Sequence, residues 1–228
     1  MIMDMKEAAR SCAFDKLFAR NVPHILEEIF LHMDFDSFKS CLTVNMTWKE
    51  FLMSHSFQKK AKPIFNRWLY SAAHYGRAYD VQLLLSMGAD PEKKRGRLGG
   101  SALISAASYG HQAVVKVLLE AGANPNVIDN EGVTPLFQAL IRDQTDVAKL
   151  LLDVGADPNK GSFAGMPPLN YAVWMRKKVA VKMLLESGAD TTKEDIYGRT
   201  PSAQGAWAAK FLQSCSQATH THNLEFYT

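Results

Sequence analysis

Cysteine is scarce in this chain of 228 residues: Cys12, Cys41 and Cys215 are odd in number and widely scattered. Such a set argues against a disulfide framework and for a reducing setting. Long hydrophobic runs are missing too, since no apolar stretch approaches the roughly 20 residues a membrane helix needs. The stretch carrying Asp4, Lys6, Glu7 and Arg10 lacks the apolar run of a secretory signal. The expectation is therefore an intracellular chain, cytoplasmic or nuclear, with no membrane partner. Charge of one sign is not in excess either. With 26 basic and 23 acidic side chains the net charge is +3, which neither demands nor excludes nucleic acid; no nucleic-acid partner is expected.

Catalytic signatures are absent as well. There is no glycine-rich loop ending in Lys-Ser/Thr and no dinucleotide fingerprint after a strand. Glu27 and Glu28 fall on consecutive helical positions and do not converge on one site. Cys41 has apolar neighbours and reads as buried, not as a nucleophile. His220 and His222 have only the spacing of a weak surface metal pair. No enzymatic activity, cofactor or metal is expected. What remains is ordinary for a globular protein, 47% hydrophobic and 21% charged.

What the chain does have is repetition. Gly88-Ala89-Asp90-Pro91, Gly122-Ala123-Asn124-Pro125, Gly155-Ala156-Asp157-Pro158 and Gly188-Ala189-Asp190-Thr191 begin 34, 33 and 33 positions apart. Self-similarity at this period marks a stacked solenoid. Each block follows an apolar run such as Val114, Val117, Leu118 and Leu119, which reads as a helix stopped by the glycine. Between the blocks stand Ser101-Ala102-Leu103, Thr134-Pro135-Leu136, Pro167-Pro168-Leu169 and Thr200-Pro201-Ser202. Thr134 and Thr200 suit helix N-caps, and Pro135 and Pro201 suit the first turn, where no N–H is needed. The helix that follows is small-faced, with Ala72-Ala73, Ala106-Ala107, Ala139 and Ala172, and Gly76 and Gly110 end it.

This pattern resembles the ankyrin repeat, with its period of 33 and motif T-P-L-H-x-A. The resemblance covers residues 66–214 in five units: about 66–99, 100–132, 133–165, 166–198 and a truncated 199–214. The motif's histidine is replaced by Tyr70, Ile104, Phe137, Asn170 and Ala203, so the hydrogen bonds it makes between loops are not expected. Asp143 and Arg176 stand where glycine ends the first helix. Ligands of ankyrin proteins lie on the face made by finger loops and first helices. The resemblance therefore implies a partner-binding set of His74, Tyr75, Ser108, Tyr109, Ile141, Arg142, Phe163, Met166, Trp174, Met175, Ile196 and Tyr197. Its richness in Tyr, Trp, Met and Arg suits interface hot spots. The basic run Lys93, Lys94, Arg95 and Arg97 in the first finger reads as a solvated loop tip or as a patch for an anionic partner.

Residues 1–65 lie outside the repeats: an N-terminal segment 1–20 and a helical stretch 21–65. Ile25, Leu26, Ile29, Phe30 and Met33 follow helical spacing after Pro23, and Phe38, Cys41, Leu42 and Trp48, Phe51, Leu52 suggest two further short helices. Order and spacing resemble the F-box, L-P-x-E-I-L-x-x-I-F-x-x-L…D-L…V-C-x-x-W, with Ile29 and Trp48 the usual 19 positions apart. Pro23 stands one residue closer than usual to Ile25-Leu26, His24 replaces the glutamate, and Asn45 replaces the cysteine after Val44. The resemblance implies docking on a Skp-type adaptor, and through it a cullin, by Val22, Pro23, Ile25, Leu26, Ile29, Phe30, Phe38, Cys41 and Leu42. The alternative for the same residues is internal packing in a helical cap.

Residues 55–68 contain no Gly/Ser-rich spacer, so a stiff junction is expected, and residues 215–228 read as a tail. The expected fold is all-α: a three-helix F-box-like unit followed by an ankyrin α-solenoid of about five units. The expected function is substrate recognition in an SCF-type ubiquitin ligase, with an unknown target protein in the ankyrin groove. The alternative is an ankyrin scaffold with a helical cap and no ubiquitin role.

Overall fold

The computed structural model describes residues 34–44, 55–160, 165–204 and 206–224. Among them are ten α-helices and no strand, as the all-α expectation requires. These are α1 (Phe35–Val44), α2 (His55–His74), α3 (Ala78–Ser86), α4 (Ala102–Ser108), α5 (Gln112–Glu120), α6 (Pro135–Ile141), α7 (Thr145–Asp153), α8 (Pro168–Trp174), α9 (Lys178–Glu186) and α10 (Ala206–Leu224). None is long and apolar enough to cross a membrane. The described residues fall into two compact units, one within Met1–Leu69 and Leu83–Asp90, the other within Tyr70–Gln82 and Pro91–Thr228.

In the first unit, Asp34 caps α1 by accepting the backbone N–H of Ser37 at 2.8 Å. The aromatic side chains of α1 pack on α2: Phe38 lies 5.7 Å from Phe65 and 5.2 Å from Trp68, and Phe35 lies 5.2 Å from Trp68, centroid to centroid. Residues 55–68 are thus helical and not a spacer, and α2 runs through them with Pro63 in its interior.

The second unit is a stack of helical pairs, α4 with α5, α6 with α7 and α8 with α9, in which first helices pack on first helices and second on second. First helices have 7 residues and second helices 9, too short to persist alone in water. Their stability comes from the faces they bury on their neighbours. On the second helices these are Val114, Val115 and Leu118, then Val147, Ala148 and Leu151, then Ala180, Val181 and Leu184. Each buried Val or Leu contributes about 1.5–3 kcal/mol before the entropy of ordering is subtracted.

Local chemistry sets the helix ends. Ser101 and Thr134 cap α4 and α6, accepting the N–H of Ile104 at 3.3 Å and of Phe137 at 3.2 Å. Thr200 departs from the expectation, because Pro201–Gln204 forms a 3₁₀ turn that leads into α10. Helix α10 continues past residue 214, so the boundary drawn there falls inside a helix. Asp143 and Arg176 keep the left-handed backbone of the glycines they replace, at φ 58° and 55°.

A ladder of side-chain bonds joins the loops after the second helices. Glu92 accepts the N–H of Asn124 at 2.8 Å, Asn126 that of Asp157 at 2.7 Å, and Asn159 that of Asp190 at 2.7 Å. One carbonyl-bearing side chain per unit thus ties down the start of the next loop, and the period of the sequence becomes a period of hydrogen bonds.

Candidate protein-binding surface

First helices and finger loops of the second unit enclose a cleft of about 460 Å³. Its floor comes from Tyr70 and His74 of α2, Ile104, Ser105 and Ser108 of α4, Tyr109 at the end of α4, and Gln138 and Ile141 of α6; its rim carries Arg95, Arg97, Leu98 and Glu131. The fingers owe their shape to local bonds. Asp129 accepts the N–H groups of Glu131 and Val133 at 2.8 and 2.9 Å, and Asp195 does the same for Tyr197 and Arg199 at 2.9 and 3.0 Å. A short acidic side chain that bonds its own loop in this way is a strong turn former.

Aromatic contacts hold the floor. The His74 ring meets Tyr109 edge-on at 4.4 Å, and Tyr109 stacks over His111 at 6.1 Å. His111 Nε2 lies 3.0 Å from the His74 carbonyl, so the neutral Nε2–H tautomer or the cation donates there. The Gln138 amide donates to the Ser108 hydroxyl at 3.2 Å. Tyr109 is thereby positioned between two rings while 52% of it stays exposed.

Among the described residues, surroundings shift two carboxylates, Asp195 and Asp190. Burial alone would raise the pKa of Asp195. The Arg199 guanidinium, which donates at 3.0 Å, together with the N–H groups of Arg199 and Tyr197, outweighs that and holds the carboxyl below its ordinary value. Asp190 is also lowered, first by the hydroxyl of Thr192 and then by its N–H.

Of the residues expected on this surface, the cleft gathers His74, Ser108, Tyr109 and Ile141. Tyr75, Arg142, Trp174, Met175, Ile196 and Tyr197 are exposed but line no part of it, and Met166 is half-buried. Phe163 lies outside the described residues. Val133, whose N–H Asp129 holds, is buried and also contributes to the cleft's lining. Tyr70, Ile104 and Gln138 were not expected in the cleft. The 33-residue ruler does find them: Tyr70 and Ile104 occupy the position of the motif's histidine, and Gln138 follows it. At that same position Asn170 is fully buried and donates to the Arg199 carbonyl at 2.8 Å, so in this unit a side chain at the histidine position ties α8 to the finger that follows α9.

For the adaptor-docking set the outcome is mixed. Val22, Pro23, Ile25, Leu26, Ile29 and Phe30 lie outside the described residues. Cys41 and Leu42 belong to α1, and their side chains are likewise outside them. Phe38 is a correction: it is fully buried against Phe65 and Trp68, so it has no surface to offer a partner.

A helix pair closed by a left-handed turn, repeated every 33 residues with fingers between the pairs, is matched by the family model for ankyrin repeats (3 copies) over residues 69–162 and 103–195. The chain belongs to the ankyrin-repeat family. No curated protein matches it. Ankyrin repeats are protein-interaction modules. Among the described residues no group of three or more His, Cys, Asp or Glu could hold a metal ion.

Proposed function

We propose that the chain is the substrate-recognition subunit of an SCF-type ubiquitin ligase. Its ankyrin cleft captures a segment of a target protein, and its N-terminal part docks a Skp-type adaptor and, through it, a cullin. The observation that carries the capture half is the cleft, with an aromatic and aliphatic floor under a charged rim. That combination suits a protein segment better than a small polar metabolite. The ligase half is supported by the order and spacing of Pro23, Ile25-Leu26, Ile29-Phe30, Val44 and Trp48. Ubiquitin transfer needs proximity, which a receptor supplies without catalytic groups of its own.

A second reading, an ankyrin scaffold with a helical cap, is favoured by the burial of Phe38 between Phe65 and Trp68. An F-box also buries part of its apolar surface internally, so the two readings part at Ile29 and Phe30. Co-purification of the full chain with a Skp-type adaptor is the test. A complex that is lost in the Ile29→Asp, Phe30→Asp double variant, with helicity unchanged by circular dichroism, supports the ligase role. No complex, or one indifferent to the substitutions, leaves the scaffold reading.

A further inference from the structure

We infer that the cleft takes an extended protein segment carrying acidic side chains beside a large apolar one. This rests on the cleft being the capture site and adds the chemistry of what it captures. Lys93, Lys94, Arg95 and Arg97 crowd into five residues of the first finger. The finger is pinned on both sides. Arg95 bridges Gly100, its N–H donating to that carbonyl at 2.9 Å. From the next finger, Asn130 donates its backbone N–H to Leu98 at 2.8 Å and its amide to the Arg97 carbonyl at 3.1 Å. The cations thus extend from a fixed backbone, which lowers the entropy lost when a ligand orders them.

Among the described residues neither arginine takes part in an ion pair. Both line the cleft. Across from them, Asp129 is committed to the N–H groups of its own loop, which leaves Glu131 as the exposed carboxylate of the lining. Set against Asp129 and Glu131, the four cations Lys93, Lys94, Arg95 and Arg97 leave an excess of positive charge on this side of the cleft, and both guanidinium groups share its lining with the apolar Ile104, Tyr109 and Ile141. A carboxylate meets a guanidinium through two parallel hydrogen bonds, and the floor accepts one bulky apolar neighbour. Nucleic acid fits less well, because the net charge of +3 supplies little of the attraction that such binding uses.

The test selects peptides from a random phage-displayed library on the immobilised full chain, then titrates the fluorescein-labelled winners by anisotropy. The expected winners are rich in Asp and Glu next to Leu, Phe or Trp, and bind more weakly as salt rises. The Arg95→Glu, Arg97→Glu variant weakens them by about tenfold or more, and the Arg95→Gln, Arg97→Gln variant by less. Tyr109→Ala also weakens them, while circular dichroism confirms that all three variants fold. Neutral or basic winners that Tyr109→Ala still abolishes overturn the acidic preference and leave the capture site standing. Winners indifferent to Tyr109→Ala, or no winners, overturn the capture site and this inference with it. Displacement of the winners by a mixed-sequence single-stranded oligonucleotide at lower concentration than by unlabelled peptide overturns the choice of a protein ligand.

Discussion

Lys177 reaches back one unit to Asp143, with Nζ 2.7 Å from Oδ1, and donates to the Leu140 carbonyl at 2.6 Å. One ammonium thus closes the C-terminal end of α6 and neutralises the residue that replaces glycine at its left-handed turn. Lysine near a helix C-terminus is favoured by the partial negative charge of the free carbonyls. Asp143 is 74% exposed, so solvent screens the pair and it is worth about 0–1 kcal/mol.

Arg176 occupies the matching turn of the next unit at φ 55°, with its guanidinium only loosely over Trp207 at 5.9 Å. Glycine there relieves about 1–2 kcal/mol of left-handed strain and loses about 0.5–1 kcal/mol to unfolded-chain entropy. Arg176→Gly is expected to raise stability by about 0.5–1 kcal/mol in urea titration. Asp143→Gly forfeits the ion pair as well, and aspartate tolerates this backbone better, so its change stays within about 0.5 kcal/mol. A larger gain for Asp143→Gly than for Arg176→Gly would contradict this account.

The glycines that remain are not equivalent, although the sequence shows them alike. A Cβ on Gly76, at φ 73°, would come within 2.7 Å of the His111 ring, which two neighbours hold in place. On Gly122, at φ 87°, it would meet nothing within 4 Å. Gly122→Ala is expected to cost about 1 kcal/mol, from backbone strain alone. Gly76→Ala adds overpacking of about 1–3 kcal/mol and loosens the floor of the cleft. Paired urea titrations decide, and equal costs would show that His111 moves aside freely.

The repeat was legible because its signals are local and recur: a glycine after each second helix, and a capping hydroxyl before α6 with a proline in its first turn. The cleft was only half legible. His74 and Tyr109 follow from the positions after the alanine pair, whereas Tyr70, Ile104 and Gln138 come into view only when the motif's histidine position and its neighbour are also counted as groove-lining. Phe38 was misread for a related reason. Apolar spacing on a helix says that one face is covered, and not whether a partner or the chain's own α2 covers it.

That distinction gives Phe38 its own test. Phe38→Ala empties a site between Phe65 and Trp68, and truncating a buried phenylalanine costs about 3–5 kcal/mol. The loss is expected in the first unit, where hydrogen exchange across residues 55–69 of α2 should quicken several-fold. Unchanged protection would mean that α2 does not lean on Phe38.

Acid should act on the last finger. The Asp195 carboxyl sits below its ordinary pKa. It therefore adds stability that is fully present above the unfolded value of about 3.9, and that is lost as pH falls through the lower folded value. Below pH of about 4, amide exchange at Tyr197 and Arg199 is expected to accelerate. Asp195→Asn should remove that acid dependence while weakening the finger at neutral pH, since Arg199 loses its charged partner. An acid response that survives Asp195→Asn would trace to another carboxylate.

The reach of the binding surface is testable with three aromatic residues. Tyr109, Trp174 and Tyr197 are 52%, 61% and 70% exposed, so replacing all three with Ala should leave the urea midpoint nearly unchanged. Binding should not be spared. Tyr109 stands in the cleft between two rings, as buried interface anchors do, and Tyr109→Ala is expected to cost about 2 kcal/mol or more in affinity for a captured partner. Trp174 and Tyr197 lie outside the cleft, so their joint replacement reads out the length of the partner. A loss of about 1 kcal/mol or more from that pair means a ligand running from the first unit to the fourth, while no loss confines it to the first three. Unchanged affinity after all three substitutions would place the contact elsewhere on the chain.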